Sequence, residues 1–210
     1  MRRLTRLPEP GVLQQNKARW LERFLASGDR RPLARQYGHR EIRAALAAMS
    51  YHKCFYCETK LETGGEEVDH CVEVAEAPQR VFDWENLCLA CHGCNRRKRP
   101  NSAIPAVECL DPCGTDDPAA HLTFEAEMIT AKGDSAKGLR TIQKYVLDRP
   151  ELNYLRLREL QQFEKRLRQL HERRGTRPLT ENEKEIVRRF RQPDHPFSLM
   201  FQVYLADVAL

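Results

Sequence analysis

The chain of 210 residues has no long apolar run. Its most apolar stretch, 199–210, is broken by Gln202 and Asp207 and is too short to span a bilayer, so no membrane partner is expected. No apolar segment follows the basic opening MRRLTRLPEPG, which argues against a secretory leader and for a cytoplasmic protein. Internal repeats and low-complexity tracts are also missing, which excludes solenoid arrays. Neither sign of charge dominates: 35 Lys and Arg face 30 Asp and Glu, a net +5 that permits a polyanionic partner without requiring one. The length suits one domain with appendages or two small ones, with enough chain to bury a core without disulfides.

What the chain does have is eight cysteines, which in a cytoplasmic protein point to metal or catalysis rather than disulfides. Cations are also concentrated in one place, Asn95-Arg96-Arg97-Lys98-Arg99.

The flanks read as helical. Segment 12–26 places Leu13, Trp20, Leu21, Phe24 and Leu25 near one face and closes at Gly28, and 39–49 repeats the pattern with Ile42, Ala45, Leu46 and Met49. Segment 139–147 predicts a short helix, and 151–174 a long one with an apolar stripe from Leu152 to Leu170. Thr180 with Glu183 is a capping-box signature for another helix, to about 191. The chain therefore divides into a helical arm (1–50), a cysteine-rich centre (51–105) and a mainly helical remainder (106–210).

Cys54-Phe55-Tyr56-Cys57 and Cys91-His92-Gly93-Cys94 are two knuckles with the spacing that lets paired thiolates grip one tetrahedral zinc. Cys88-Leu89-Ala90-Cys91 has the same spacing, so the register of the second knuckle is ambiguous. Thirty-three residues separate Cys57 from Cys91, more than a simple ribbon loop needs. That interval holds Val68-Asp69-His70 after a Gly-Gly turn, then Trp84-Glu85-Asn86-Leu87, and Asn95 directly follows Cys94.

In this order, Asp69-His70, Asn86 and Asn95 resemble the HNH nuclease family. The resemblance implies an α+β fold: a small ββα-metal core with a four-Cys zinc knuckle, set among helical N- and C-terminal regions. It selects Cys54, Cys57, Cys91 and Cys94 as ligands of a structural Zn²⁺ and leaves Cys88 in the core. It also implies that His70 is the general base and that Asn86 braces the loop and orients His70. Mg²⁺ or Mn²⁺ falls to Asp69 and Asn95. A neutral imidazole can take a proton from water at physiological pH, and a hard divalent ion supplies counter-charge to a phosphate. Arg96, Arg97, Lys98 and Arg99 are expected on DNA phosphates.

The likeness extends to MRRLTRLPEP, CFYCETKL, DWENLCLACHGCNRRK and TIQKYVLDRPELNYLR, over roughly the first 160 residues. Those segments are similar to the PtuB-like HNH proteins of Septu and some retron anti-phage systems. The expected partners are then DNA, a PtuA-like ATPase and, in the retron setting, reverse transcriptase with its DNA product. Glu73-Val74 stands where the family has Pro-Lys, which leaves Arg80 or the basic run to supply the missing cation. The N-terminal stretch bearing Trp20, Leu21, Phe24 and Leu25 and the C-terminal segment bearing Phe197, Met200, Phe201 and Tyr204 are candidate docking surfaces, with internal core as the equal alternative for each. A standalone restriction or homing HNH nuclease and a non-catalytic zinc module are the alternatives.

Overall fold

A computed structural model describes residues 1–62, 64–98 and 104–206. Arg99 lies outside the described residues.

Helix α1 (Gly11–Ser27) ends where Gly28 takes a left-handed φ of 72°, which costs glycine nothing. A short turn of helix, α2 (Ala34–Tyr37), leads into α3 (Arg40–Met49), whose Ile42, Leu46 and Met49 enter the core. On α1 the buried residues are Leu13 and Phe24, while Leu25, expected on the same face, is 52% exposed. One position past Phe24 turns the side chain by about 100°, out of the buried stripe.

The centre is a hairpin followed by a helix. β1 (Glu66–His70) pairs antiparallel with β2 (Leu87–Cys91), Glu66 opposite Cys91 and His70 opposite Leu87. The chain then turns straight into α4 (His92–Arg97), with Cys91 as N-cap and its Sγ accepting the Cys94 N–H at 3.3 Å. The first knuckle is fastened to this hairpin by the Phe55 N–H, which donates to the Leu89 carbonyl at 2.8 Å.

The remainder is helical apart from a second hairpin that periodicity did not announce. After a single turn, α5 (Pro118–His121), strands β3 (Leu122–Glu125) and β4 (Met128–Ala131) pair antiparallel. α6 (Ala136–Tyr145), α7 (Pro150–Arg174), α8 (Glu181–Arg188) and α9 (Ser198–Tyr204) follow. The capping box on α8 forms as expected. On α7, Leu152, Leu160, Phe163 and Leu170 are buried.

The buried cluster draws on all three segments, from Leu13 through Leu89 to Phe201. Phe197, Met200 and Phe201 are buried in it, so these three are core, while Tyr204 is half-buried against it. The N-terminal arm is tied to the hairpin: Arg6 donates to the carbonyls of Leu87 (2.7 Å) and Glu85 (3.1 Å), and Trp84 Nε1 donates to the Leu7 carbonyl at 2.7 Å. Among the described residues no helix is long and apolar enough to cross a membrane.

Candidate metal centre and adjoining cavity

The sulfur atoms of Cys54, Cys57, Cys91 and Cys94 all lie within 4.8 Å of one another, with Cys57 and Cys91 3.9 Å apart. A tetrahedral ion with bonds of about 2.3 Å sets its thiolates roughly 3.8 Å apart, so the four-sulfur set fits zinc. The register is thereby settled: Cys88 is fully buried against Tyr56, whose hydroxyl is 3.1 Å from its Sγ. Burial pushes the Cys54 thiol up, whereas hydrogen bonds from the other three pull Cys57 down. Thiols packed this closely must share protons unless a cation takes their place. Arg149, at the N-cap of α7, brings Nη2 to 3.2 Å from Cys94 Sγ and supplies part of that positive charge.

Alternation along β1 sends Val68 and His70 to one face and Glu67 and Asp69 to the other. His70 is 7% exposed and packs its ring 5.0 Å from Tyr37. Its Nε2 lies 2.9 Å from the Val81 carbonyl. A carbonyl only accepts, so Nε2 carries the proton and Nδ1 keeps the lone pair. Burial lowers the affinity of this imidazole for a second proton, against the opposing pull of Val81 and Asp69.

The Asn86 side chain makes no hydrogen bond to His70. Its Oδ1 accepts the Val72 N–H at 2.7 Å, and its Nδ2 donates to the carbonyls of Val72 and Arg80, both at 3.1 Å. The side chain therefore ties the two ends of the loop that carries Val81, and it reaches His70 only through that loop.

Asp69 Oδ2 accepts from the Tyr56 hydroxyl at 2.7 Å and from Lys98 Nζ at 3.0 Å. Lys98 also donates to the His70 carbonyl and is 4% exposed. It is thus turned inward onto Asp69 rather than out toward phosphate, from the C-cap of α4, where the backbone has left the helix at ψ 122°. Arg97 is exposed and pairs with Glu151 at 2.8 Å, and Arg96 is exposed. Asn95 makes no bond to Asp69; its Nδ2 donates to Glu67. His92, expected in solvent or on phosphate, is exposed and 2.7 Å from Glu67. Arg80 is engaged by Asp83.

Asp69, His70, Asn95 and Lys98 nonetheless line one cavity of about 390 Å³. Arg30 and Arg31, in the turn after α1, also line it and are exposed. Sequence reasoning missed them, because a pair of arginines beside Gly28 carries no sign of a site 40 residues later. A second cavity, about 270 Å³, is lined by Asn86, Cys71 and Cys109 among others. Burial pushes the Cys109 thiol up to about 11 and that of Cys113 up to about 12, so both stay protonated.

Among the described residues the class is a mixed helix–strand protein with two small two-stranded sheets and a four-Cys cluster that can hold a metal such as zinc. No family model matches the chain. It is similar to Septu protein PtuB of Bacillus thuringiensis, 29% identical over 141 residues, covering 66% of this chain and 51% of the relative. Septu protein PtuB of Bacillus mycoides is likewise 29% identical, with 55% of this chain and 50% of the relative covered. The chain spans about half the length of the curated relatives it matches.

Proposed function

We propose that this chain is a metal-dependent HNH endonuclease that hydrolyses DNA phosphodiester bonds within a Septu-type anti-phage defence system. The observation that carries the reading is the convergence of Asp69, His70 and Asn95 on one cavity beside the four-Cys cluster. The similarity to Septu protein PtuB supplies the biological setting.

His70 Nδ1 takes the proton of the attacking water. Val81 holds the ring in the tautomer that leaves this nitrogen free, and Asn86 holds the loop that carries Val81. The Asp69 carboxylate and the Asn95 side-chain oxygen are hard donors of the kind Mg²⁺ and Mn²⁺ accept, and they would hold that ion. When bound, it supplies counter-charge to the scissile phosphate and polarises the leaving oxygen. Arg30, Arg31 and Arg96 contact neighbouring phosphates and fix the strand. Zinc on the four cysteines has a folding role only. A PtuA-like ATPase is the partner that gates cleavage, as the resemblance to PtuB-like proteins implies.

The direct test compares wild type with His70→Ala on supercoiled plasmid, with Mg²⁺ or Mn²⁺ added. The variant should keep its zinc and helical content and lose at least about a hundredfold in rate. Cleavage by the variant at wild-type rate would remove His70 from the mechanism. Co-expression with a PtuA-like ATPase should give one complex by size exclusion; defence without that ATPase would favour a standalone nuclease.

A further inference from the structure

We infer that Glu67 is a positioning residue that sets which end of the Asn95 amide faces the cavity. The functional meaning of this rests on the nuclease reading above, but the contact itself does not. Glu67 lies two residues before Asp69 on β1, hence on the same face of the strand. Its Oε2 is 2.5 Å from Asn95 Nδ2, and its Oε1 is 2.7 Å from His92 Nδ1.

A carboxylate accepts and cannot donate. The short contact therefore works only with the amide nitrogen of Asn95 turned to Glu67, which leaves Oδ1 as the end available to the cavity that Asn95 and Asp69 both line. The flipped amide would set oxygen against oxygen and lose a charge-assisted hydrogen bond. It would also turn an N–H₂ group, itself a donor, toward any cation held by Asp69. His92 occupies the other carboxylate oxygen and pins Glu67 from the opposite side, so the carboxylate is spent on holding α4 residues and is not offered as a ligand. Without Glu67, both amide orientations are open to Asn95, and only one of them can coordinate.

The experiment uses the full, zinc-loaded chain and Mn²⁺ alone as probe, followed by electron paramagnetic resonance. A second readout, the ¹⁵N-resolved side-chain amide signal of Asn95, is taken without divalent ion. Glu67→Ala should weaken Mn²⁺ binding about tenfold, as loss of an outer-shell partner does, and move the Asn95 amide signal toward that of a free asparagine. Glu67→Gln keeps an acceptor for Asn95 and should stay within about threefold of wild type. Wild-type Mn²⁺ affinity together with an unmoved amide signal in Glu67→Ala would overturn the inference. So would a Glu67→Gln variant as weak as Glu67→Ala, since that marks a directly ligating carboxylate. Failure of the nuclease reading looks different: the wild type would not bind Mn²⁺, or Asn95→Ala would bind it unchanged, and the amide signal alone would then decide the role of Glu67.

Discussion

Lys98 Nζ rests 3.0 Å from Asp69 Oδ2, with both side chains largely shielded from solvent. The ammonium occupies the same carboxylate that the proposed divalent ion would use. Asp69 is thus neutralised whether or not an ion is bound, which spares the fold an uncompensated buried charge.

Replacing that cation should therefore cost stability in a way an ion can restore. Lys98→Met is expected to lower stability by about 3 kcal/mol, the usual penalty for breaking a buried pair from one side. Thermal denaturation with and without Mn²⁺ checks this. The ion should raise the midpoint of the variant more than that of the wild type, and equal shifts would show that Lys98 and the ion do not share Asp69.

Arg149 offers a separate handle on the cysteine cluster. Its guanidinium touches Cys94 Sγ, so Arg149→Met should leave four ligands in place but loosen zinc about tenfold. Cys57→Ser should instead impair folding, because structural zinc binding is folding free energy. Metal analysis after desalting should give one zinc per chain for wild type, and a chelator competition should rank wild type above Arg149→Met. Equal retention would make the contact incidental.

Asn86→Ala removes three hydrogen bonds of a buried side chain that close the loop between the strands. A loss of roughly 2–4 kcal/mol in urea denaturation is expected from the groups left unpaired. Nuclease rate should fall with it, since Val81 no longer holds His70 in register. Full activity in a variant destabilised this much would separate the loop from the base.

Glu58 predicts a pH dependence of stability. Burial pushes its carboxyl up, but the Met1 α-amino group, Lys53 and Ser198 outweigh that and hold it well below the usual carboxylate range. A depressed folded value contributes stability that is fully present above the unfolded value, about 4.3, and fades as pH falls below it. Wild type should accordingly lose stability between about pH 5 and pH 2 faster than Glu58→Gln, which lacks the titration. Parallel curves for the two proteins would contradict the assignment.

Sequence alone determined the parts whose signal is local. The two knuckles are legible because thiolate spacing is set by a tight turn, and the helices of the flanks because an amphipathic repeat needs only its own residues. The capping box at Thr180 and Glu183 is of the same kind. Which second cysteine pair faces the first was open on spacing alone; the family order chose Cys91 and Cys94, and the structure clusters those two with Cys54 and Cys57 while Cys88 Sγ sits against the Tyr56 hydroxyl. The hairpin at Leu122–Ala131 escaped notice because four-residue strands carry too short an alternation to stand out from turn-rich surroundings. Tertiary structure alone decided which charges are spent. Lys98, Arg97 and Arg80 look alike in sequence to Arg30 and Arg31, yet Lys98 is paired inside the fold, Arg97 and Arg80 are paired nearer the surface, and Arg30 and Arg31 line the cavity exposed. Glu67 and Glu73 are equally anonymous until the packing of α4 and α6 gives them Asn95 and Lys144 as partners. The physical reason is range: turns and helices are written in neighbours three or four positions apart, whereas the partner of a charge is chosen by the packing of elements far apart in the chain.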